Sequence, residues 1–571
     1  MLTGTGLTRT GLKRSGGDLG RVFGGLCLLY ICFVFFSQMS LVIDPSYLHE
    51  LHRRLFTYHQ VYDAELFAGD YLAAVVNDRS QPYLYDGITR LWAWAGGELA
   101  LLHRVLPVVC WLAFLAGLAV AARRVGDWVT MLGAVGIAVA QPVYLHQINA
   151  ATAHSFGFPL LIWGIVAALY GSRRGLVGVT VLSGLLYTAM TPLLGLLLAW
   201  HVLVSQRFFT AARSERLRSG LLLALTGAVS LWLVYGTLAG SAGHGAALAP
   251  LEQAELYPEN GPEGRYFSSV FNPLMFVVGR AITQLQFADV IAAALVVLGY
   301  ALVVLYGLSA LPKGDARKAL LGFVACATLL GLAVYLLKPF HVYRYVLYPA
   351  YTVLPLLFMV GAQRLGERLQ PVFRAPQLFA LGLMAMLVLA SDSLNPRKLG
   401  YWWHLGAEEQ ALMRFVSDTQ PSTLFAVWPG GLTPLELIPY AGQRPLLVMR
   451  KVHYTVYPDH ILAMRARTFA LIDAYFATDV AALRRLHCDW NVRYLVTYNE
   501  HFAPDAAMPE YFAPFDQRIA GIWAAHRPED FLLRRPDPHW VVLDNEKYRV
   551  VDLAILSGTA GGDPCGSSSQ P

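Results

Sequence analysis

The chain has 571 residues, of which 56% are hydrophobic and only 14% are charged. Soluble domains average roughly 45–50% apolar and 25% charged residues, so this composition excludes an ordinary soluble protein and indicates a polytopic membrane protein. The formal net charge of +6 does not indicate nucleic-acid binding, because the basic residues stand in short clusters between apolar runs, as topology signals do.

The first apolar run covers residues 22–43, follows a basic cytoplasmic tail (1–21), and carries no charge. It is long enough to cross a bilayer, which takes about 20 predominantly apolar residues, and it is too long for a typical signal peptide and lacks a cleavage site. The run ends at Asp44-Pro45 and opens into an external loop, residues 44–100. The acidic residues that we single out in this loop are Asp63, Glu65, Asp70, Asp78 and Asp86.

Asp44, Asp63 and Asp70 are the candidate catalytic residues. Asp44 is either a stop signal at the membrane boundary or a general base or metal ligand that faces a cavity. At helical spacing Asp63 and Asp70 share a face and would both point toward Asp44, whereas Glu65 turns away; each is otherwise a solvated loop carboxylate. Asp78 and Asp86 are typical of turns.

Further apolar runs alternate with basic clusters up to residue 391, which predicts a transmembrane body (22–391) of about 10–12 spans. Residues 128–172 form a hairpin around a polar patch. Residues 175–206 are interrupted at Thr191-Pro192 and predict two short helices or a re-entrant pair, which is tolerated where protein covers the backbone. The basic clusters fall mainly on one side, so the C-terminus is expected to be external.

A second candidate cluster is KPFHVYRY, at the external ends of two adjacent spans. External positive charge runs against the topological tendency. Either the side chains reach lipid phosphates, or Lys338 and Arg344, with His341 and Tyr343, bind the phosphate or pyrophosphate of a lipid substrate, for which arginine offers bidentate donors.

From residue 392 the pattern changes to short helices alternating with short apolar strands, which predicts an external α/β domain (392–556) and a disordered tail (557–571). The expected strands are TLFAVWP, RPLLVMR and VRYLVTYN, followed by a closing hairpin. Thr478-Asp479 is a helix-start signal. Cys488 and Cys565 can pair if this domain is exported, and the other four cysteines lie in apolar runs.

Phosphate-loop, GxSxG and HExxH motifs do not occur in the sequence, which argues against an ATP-driven pump, a serine hydrolase and a zincin. The histidines His146, His154 and His244 lack ligand spacing, so no zinc site is proposed.

Three features together resemble the GT-C superfamily of polytopic glycosyltransferases. They are a first span that ends in IDP, an external loop with YDAELFAGDYL, and a broken pair, LSGLLYTAMTPLLGLLLAW; the terminal segment around FATDVAALRRLHCDWNVRYLVTYNEHF is similar to the soluble domains of bacterial members. The WWDYG-type signature of oligosaccharyltransferases and the Asp-Glu pair of protein mannosyltransferases are missing, which leaves the acceptor open.

The resemblance implies a mainly α, GT-C-like bundle in a bacterial plasma membrane. It implies sugar transfer, with inversion, from a polyprenyl-phosphate donor to a hydroxyl of a glycan, lipid or protein acceptor on the external face. Asp44 matches the family's catalytic acid, with Asp63 or Asp70 as a second acid, and Arg344 and Lys338 match its phosphate-binding residues. No cofactor is certain, and a divalent cation is optional. The alternative is a transporter or scaffold of envelope glycan assembly.

Overall fold

A computed structural model gives the architecture. It describes residues 9–77, 81–205, 208–239, 256–261, 264, 290–311, 313–337, 343–370, 376–430, 433–453, 457–558 and 565; side chains are described from residue 22 onward, except at 205, 237–239, 260, 290–296 and 343. The helices before residue 390 are α1 (Arg9–Ile43), α2 (Tyr71–Asn77), α3 (Tyr83–Trp94), α4 (Leu99–Val125), α5 (Trp128–Ala140), α6 (Pro142–Ile148), α7 (Gly157–Leu169), α8 (Arg173–Leu186), α9 (Thr191–Trp200), α10 (Arg213–Ala239), α11 (Val290–Ser309), α12 (Asp315–Leu337), α13 (Tyr343–Arg368) and α14 (Pro376–Leu389).

The helical part of the chain is an integral, multi-pass membrane body. Within the described ranges, six helices are long and apolar enough to cross a membrane, and a seventh span results if α5 and α6, which meet at a bend of 65°, count as one. Three shorter apolar helices lie in α7, α11 and α14. The expected number was about 10–12 spans, so the described residues contain fewer full-length spans than the hydropathy pattern predicted.

The break predicted at Thr191-Pro192 is confirmed. Helix α8 ends at Leu186, a 3-10 turn covers Thr188–Met190, and α9 begins at Thr191 with the proline in its first turn. Proline is tolerated at this position because the first turn of a helix has no backbone acceptor for its N–H group. The Ser183 and Thr191 hydroxyls hydrogen-bond across the break at 3.0 Å, which satisfies polar groups at membrane depth.

The C-terminal region contains a small sheet among helices. Its elements are β2 (Tyr401–His404), α15 (Ala407–Asp418), β3 (Leu424–Val427), α16 (Pro458–Tyr475), α17 (Val480–Trp490), β4 (Val492–Tyr498), α18 (Phe515–Ala525), β5 (Val541–Asp544), β6 (Tyr548–Asp552) and α19 (Leu553–Gly558). The sheet order is β3-β4-β6-β5, with β3 parallel to β4 and the other pairs antiparallel.

Most of the predicted elements of this region are confirmed. The Asp479 carboxylate accepts the N–H groups of Ala481 and Ala482 and caps α17, and β5 and β6 form the expected hairpin. The expected strand RPLLVMR is wrong in part, since it makes only a single bridge, between Leu446 and Phe425. A disulfide joins Cys488 to Cys565.

The loop after the first span (residues 44–100) is held between the membrane body and the C-terminal region. Strand β1 (Tyr47–His49) pairs antiparallel with β2. The His59 ring hydrogen-bonds the Tyr440 carbonyl at 2.8 Å, and the Tyr440 hydroxyl lies 2.9 Å from Nδ1 of His103 on α4. The loop therefore has packed protein on both sides, which positions its polar side chains.

Candidate active site

Glu50 follows β1 and is fixed by backbone contacts to the C-terminal region. Its N–H group donates to the carbonyl of Gly400 at 3.1 Å. Gly400 has a φ of +91° and packs so closely on the His49 ring that any Cβ atom there would overlap it. Only glycine meets both conditions readily, so the pairing of β1 with β2 determines where Glu50 lies.

The Glu50 carboxylate lies in an enclosed, positively charged site. Its side chain is 16% exposed, and its Oε1 atom is 3.6 Å from Lys451 Nζ and 4.0 Å from His146 Nε2. Burial acts to raise the pKa of Glu50, but the charges of Lys451, His146, Arg53 and His49 outweigh it and hold that pKa well below its usual value. Glu50 is therefore ionised at neutral pH.

Two arginines follow Glu50 in the chain and both contact the C-terminal region. Arg53 forms a buried ion pair with Glu436, whose carboxylate also accepts the N–H group of Arg450. The Arg53 guanidinium lies 5.2 Å from the centre of the Trp403 ring. Arg54 donates to the carbonyl of Lys451 at 3.4 Å. The C-terminal region thus supplies both a cation and an anion to this site.

Arg344 is linked to this group of charges through His154. It lies in the first turn of α13, and Tyr348, one turn further on, places its hydroxyl 3.1 Å from Gln147 Oε1 and 3.3 Å from the His154 carbonyl. His154 lies within range of the positive charges of Arg344, Arg54 and Lys451 and of the negative charge of Glu50. Arg344, a residue predicted to bind phosphate, and Glu50 thus both act electrostatically on His154.

We call this group the Glu50 cluster. Its members are Glu50, Arg53, Arg54, His146, His154, Arg344, Glu436 and Lys451. Among these residues, four permanent cations face two carboxylates, a formal excess of two positive charges. Guanidinium groups match the geometry of phosphate oxygens, and such an excess suits a bound phosphate or pyrophosphate.

Asp44 lies at the end of the first span, as predicted, and caps a turn. Its Oδ1 atom accepts from the Ser46 N–H group at 2.8 Å and from the Ser46 hydroxyl at 2.7 Å. These hydrogen bonds, with smaller effects of His404 and Arg104, lower the pKa of Asp44. The local bonding accounts for an aspartate at this position, and the catalytic role of Asp44 stays a prediction.

The expectation that Asp63 and Asp70 share a helical face is wrong. Residues 63–69 form turns, because Phe67 and Gly69 take positive φ values of 60° and 75° that a right-handed helix excludes. Asp63 is exposed and accepts the Glu65 N–H group, whereas Asp70 accepts the Ala73 N–H group at 2.8 Å at the start of α2. The catalytic roles of Asp63 and Asp70 stay predictions.

Asp70 has an unusual environment. Partial burial raises its pKa to about 6, against the opposing effects of hydrogen bonds from Ala73 and Leu72 and of the Arg467 charge. Arg467 lies over the Tyr71 ring, 4.4 Å from its centre, and the Tyr71 hydroxyl is 2.8 Å from Nδ1 of His460. Asp70 therefore belongs to the contact between the loop and α16.

Three of the remaining predicted residues fall outside the described residues: Lys338, His341 and Asp78. Tyr343 begins α13, and its side chain is likewise outside the description. Within the described part of the chain, no group of three or more histidine, cysteine or acidic residues is arranged to hold a metal ion.

Sequence reasoning missed Glu50 and Lys451. A local signal for Glu50 exists in retrospect, because the segment HELHRR places one acid among two histidines and two arginines shortly after the first span. Lys451 has no such signal, since it lies in the C-terminal region and reaches Glu50 only through the packing of that region on the loop.

Comparison with solved structures finds membrane glycosyltransferases. ArnT from Cupriavidus metallidurans bound to undecaprenyl phosphate has 14% sequence identity and a TM-score of 0.49, with 93% of this chain and 98% of ArnT aligned. The oligosaccharyltransferase of Archaeoglobus fulgidus has 11% identity and a TM-score of 0.47 (83% and 70% aligned). The mycobacterial arabinofuranosyltransferase AftD has 16% identity and a TM-score of 0.44 (84% and 35% aligned).

All three are GT-C glycosyltransferases, the superfamily that the sequence motifs resemble. No protein-family profile matches the chain, and no curated protein sequence matches it significantly. Since these TM-scores are all below 0.5, the function proposed next is argued from the residues of the site.

Proposed function

We propose that this protein is a membrane glycosyltransferase that transfers a sugar from a polyprenyl-phosphate donor to an acceptor hydroxyl on the extracytoplasmic face. One observation carries the proposal: an ionised, enclosed carboxylate, Glu50, lies among cations that exceed the carboxylates by two charges. Such a site can stabilise a leaving phosphate and accept a proton in the same place.

The roles follow from the charges. Arg344, Arg54 and Lys451 neutralise the phosphate that leaves the anomeric carbon. The negative charge of the bound phosphate offsets the cations that lower the pKa of Glu50. Glu50 then accepts the proton of the acceptor hydroxyl as its oxygen attacks that carbon, and a single displacement inverts the configuration. Asp44, at the mouth of the first span, is the competing candidate for the base, with Asp63 and Asp70 after it, and a divalent cation is optional.

The proposed face is external, in a bacterial plasma membrane. Disulfides persist in oxidising compartments and are rare in the cytosol, so the bond between Cys488 and Cys565 supports a C-terminal region outside the cell. Since β2 and Lys451 of that region complete the site, the reaction would take place on the same side.

Substitution of Glu50 tests the proposal. Glu50→Gln keeps the size of the side chain but removes the proton acceptor, so sugar transfer should fall by about 10²-fold or more. The assay is transfer from radiolabelled polyprenyl-phosphate sugars in membranes that carry each variant at matched expression. Glu65→Gln, at an exposed position of the same loop, is the control and should stay within a few-fold of wild type.

The same transfer assay shows which of the candidate carboxylates is the general base. A large loss in Asp44→Asn with full activity in Glu50→Gln would move the base to Asp44. If the wild-type protein transferred sugar from none of the donor pools, the glycosyltransferase proposal would fall in favour of a transporter or scaffold.

The donor site is tested by binding. Arg344→Ala should weaken binding of undecaprenyl phosphate by about tenfold or more, because a charge-assisted contact contributes about 1.5–3 kcal/mol. Arg364→Ala is the control, since Arg364 pairs with Glu367 near the other end of α13. Equal effects of the two substitutions would exclude a specific role of Arg344.

A further inference from the structure

Lys451 lies in a backbone turn, residues 449–453, which we call the Lys451 turn. The Val452 N–H group closes it by donating to the Met449 carbonyl at 3.0 Å. The carbonyl of Lys451 itself accepts from Arg54 at 3.4 Å. A lysine side chain has four rotatable bonds and loses much freedom when it is fixed. The position of its ammonium group therefore depends on how firmly the backbone of the turn is held.

His460 contacts the Lys451 turn directly. It lies in the first turn of α16 and is only 1% exposed, and its Nε2 atom is 2.9 Å from the Val452 carbonyl. Because a carbonyl oxygen only accepts hydrogen bonds, Nε2 carries the proton in this bond. The carbonyl belongs to the residue directly after Lys451, so the bond fixes the backbone next to the lysine.

Tyr71 orients the His460 ring. Its hydroxyl is 2.8 Å from Nδ1, and the two rings stack with their centres 5.7 Å apart and their planes at 20°. With the proton on Nε2, Nδ1 of a neutral imidazole has a lone pair and accepts from the Tyr71 hydroxyl. Burial raises the pKa of Tyr71, which keeps this proton on the phenol. The ring is therefore bonded at both nitrogens and cannot flip without losing both bonds.

Arg467 holds Tyr71 against α16. It lies seven residues after His460, hence on the same face of the helix. Its guanidinium is 4.4 Å from the centre of the Tyr71 ring, and it donates to the Leu447 carbonyl at 3.2 Å. The loop after the first span is thus packed on the same helix that contacts the Lys451 turn.

We propose that His460, oriented by Tyr71, is a positioning residue that holds Lys451 beside Glu50. The proposal deepens the proposed function and rests on it for the catalytic consequence. Lys451 Nζ lies 3.6 Å from Glu50 Oε1, where it helps to neutralise the leaving phosphate. His460 acts through the backbone of the Lys451 turn and supplies no group to the reaction itself.

A double-mutant cycle in the full-length protein tests whether His460 acts through Lys451. His460→Leu removes the N–H donor and should lower sugar transfer by about tenfold, the effect of one charge-assisted contact. In a Lys451→Met background the same substitution should change transfer by less than about twofold, because the group that His460 positions is gone. If the two losses multiply, His460 supports the fold in general and the proposal is wrong.

Two conservative variants keep the test independent of folding defects. His460→Gln places an amide N–H group near the position of Nε2 and should restore transfer to within about threefold of wild type. Tyr71→Phe keeps the stacked ring and removes only the hydroxyl, so transfer should fall by about threefold. A glutamine variant as impaired as the leucine variant would overturn the proposal.

His501→Leu is the matched control. His501 forms a second histidine–tyrosine pair of the C-terminal region, with Nδ1 2.9 Å from the hydroxyl of Tyr475, the last residue of α16. This variant should transfer sugar like the wild type. A loss equal to that of His460→Leu would show that transfer merely requires an intact C-terminal region, and the proposal would fall.

A cross-link separates this inference from the proposed function. A water-soluble carbodiimide joins a carboxylate and an ammonium group in contact as an amide, and peptide mass spectrometry measures the yield between Glu50 and Lys451. The product should form in the wild type and in His460→Gln and fall by about threefold or more in His460→Leu.

Absence of the cross-link from the wild type, or an unchanged yield in His460→Leu, would remove this inference and leave the proposed function intact. The expected fall in yield, in a protein whose wild type transfers sugar from no donor pool, would do the reverse: it would retain the positioning role and remove the proposed function.

Discussion

At the scale of single residues, three carboxylates of one loop differ because their surroundings differ. Local hydrogen bonds from Ser46 lower the pKa of Asp44, whereas cations from distant parts of the chain outweigh burial and lower that of Glu50. Partial burial raises the pKa of Asp70 to about 6. Residue type alone therefore does not identify the base of this site.

The raised pKa of Asp70 predicts a pH-dependent stability. Since the folded state binds the proton more tightly than the unfolded state, the stability that the protonated form supplies is lost as the pH rises through about 6. Asp70→Asn keeps an oxygen for the Ala73 N–H group and removes the charge. It should therefore stabilise the protein at pH 8 by about 1–3 kcal/mol, by about half as much at pH 5, and little below about pH 4, where the unfolded chain also binds the proton.

Melting curves of the purified protein at pH 5 and pH 8 measure this effect. Asp63→Asn serves as the control, because Asp63 is exposed and caps a turn in the same loop. A gain at pH 8 that is equal for both variants, or a gain for Asp70→Asn that is as large at pH 5, would contradict the assignment to Asp70.

At the scale of elements, the short pairing of β1 with β2 matters more than its length suggests. It joins residues 47–49 to residues 401–404 and places Glu50 directly after it. The loop after the first span and the C-terminal region thereby share one two-stranded sheet.

Gly400→Ala should disrupt this pairing. A left-handed conformation costs an ordinary L-residue about 1–2 kcal/mol, and the new methyl group would also overlap the His49 ring, so a loss of about 2 kcal/mol or more is expected. Transfer activity should fall as well, because Glu50 would move. Thermal unfolding and the transfer assay are the measurements.

Gly521→Ala provides the comparison. Gly521 lies within α18, and a Cβ atom there meets nothing within 4 Å. Alanine is the better helix former by up to about 1 kcal/mol, so this variant should be as stable as wild type or slightly more so. Similar losses in the two variants would show that the β1–β2 pairing has no special role.

At the scale of the whole molecule, the C-terminal region completes the site. It contributes Lys451 beside Glu50 and Glu436 beside Arg53, and its Tyr440 contacts His103 of the membrane body. Without this region, Glu50 would lose Lys451 and Arg53 would lose Glu436. We therefore expect the reaction to require the full chain.

The proposed orientation is tested by reporter fusions. Alkaline phosphatase, which needs an oxidising compartment, should be active when fused after Gly400 and inactive when fused after Arg368, because the basic end of α13 is expected in the cytoplasm. In the full chain, the bond between Cys488 and Cys565 should protect both thiols from maleimide until a reductant is added. The opposite fusion pattern would place the Glu50 cluster inside the cell and exclude an external reaction.

The sequence by itself determined the features that depend on neighbouring residues. Continuous apolar runs predict spans because backbone polar groups in lipid must be satisfied within a helix, and Thr191-Pro192 predicts the break between α8 and α9. Asp479 predicts the start of α17. Two short apolar segments near the end of the chain, HWVVLDN and YRVVDLAIL, predict the β5–β6 hairpin. The break, the helix start and the hairpin are confirmed, and the apolar runs give six full-length spans in the part of the chain that the structure describes.

Only the tertiary structure decided which charges meet. The pairing of Glu50 with Lys451 and of Arg53 with Glu436 joins distant parts of the chain, and no local pattern encodes such contacts. The turns at residues 63–69 replaced an expected helical face, because the positive φ values at Phe67 and Gly69 depend on how the loop packs. The site follows from packing between the loop, the membrane body and the C-terminal region, since electrostatic partners act through space and not along the sequence.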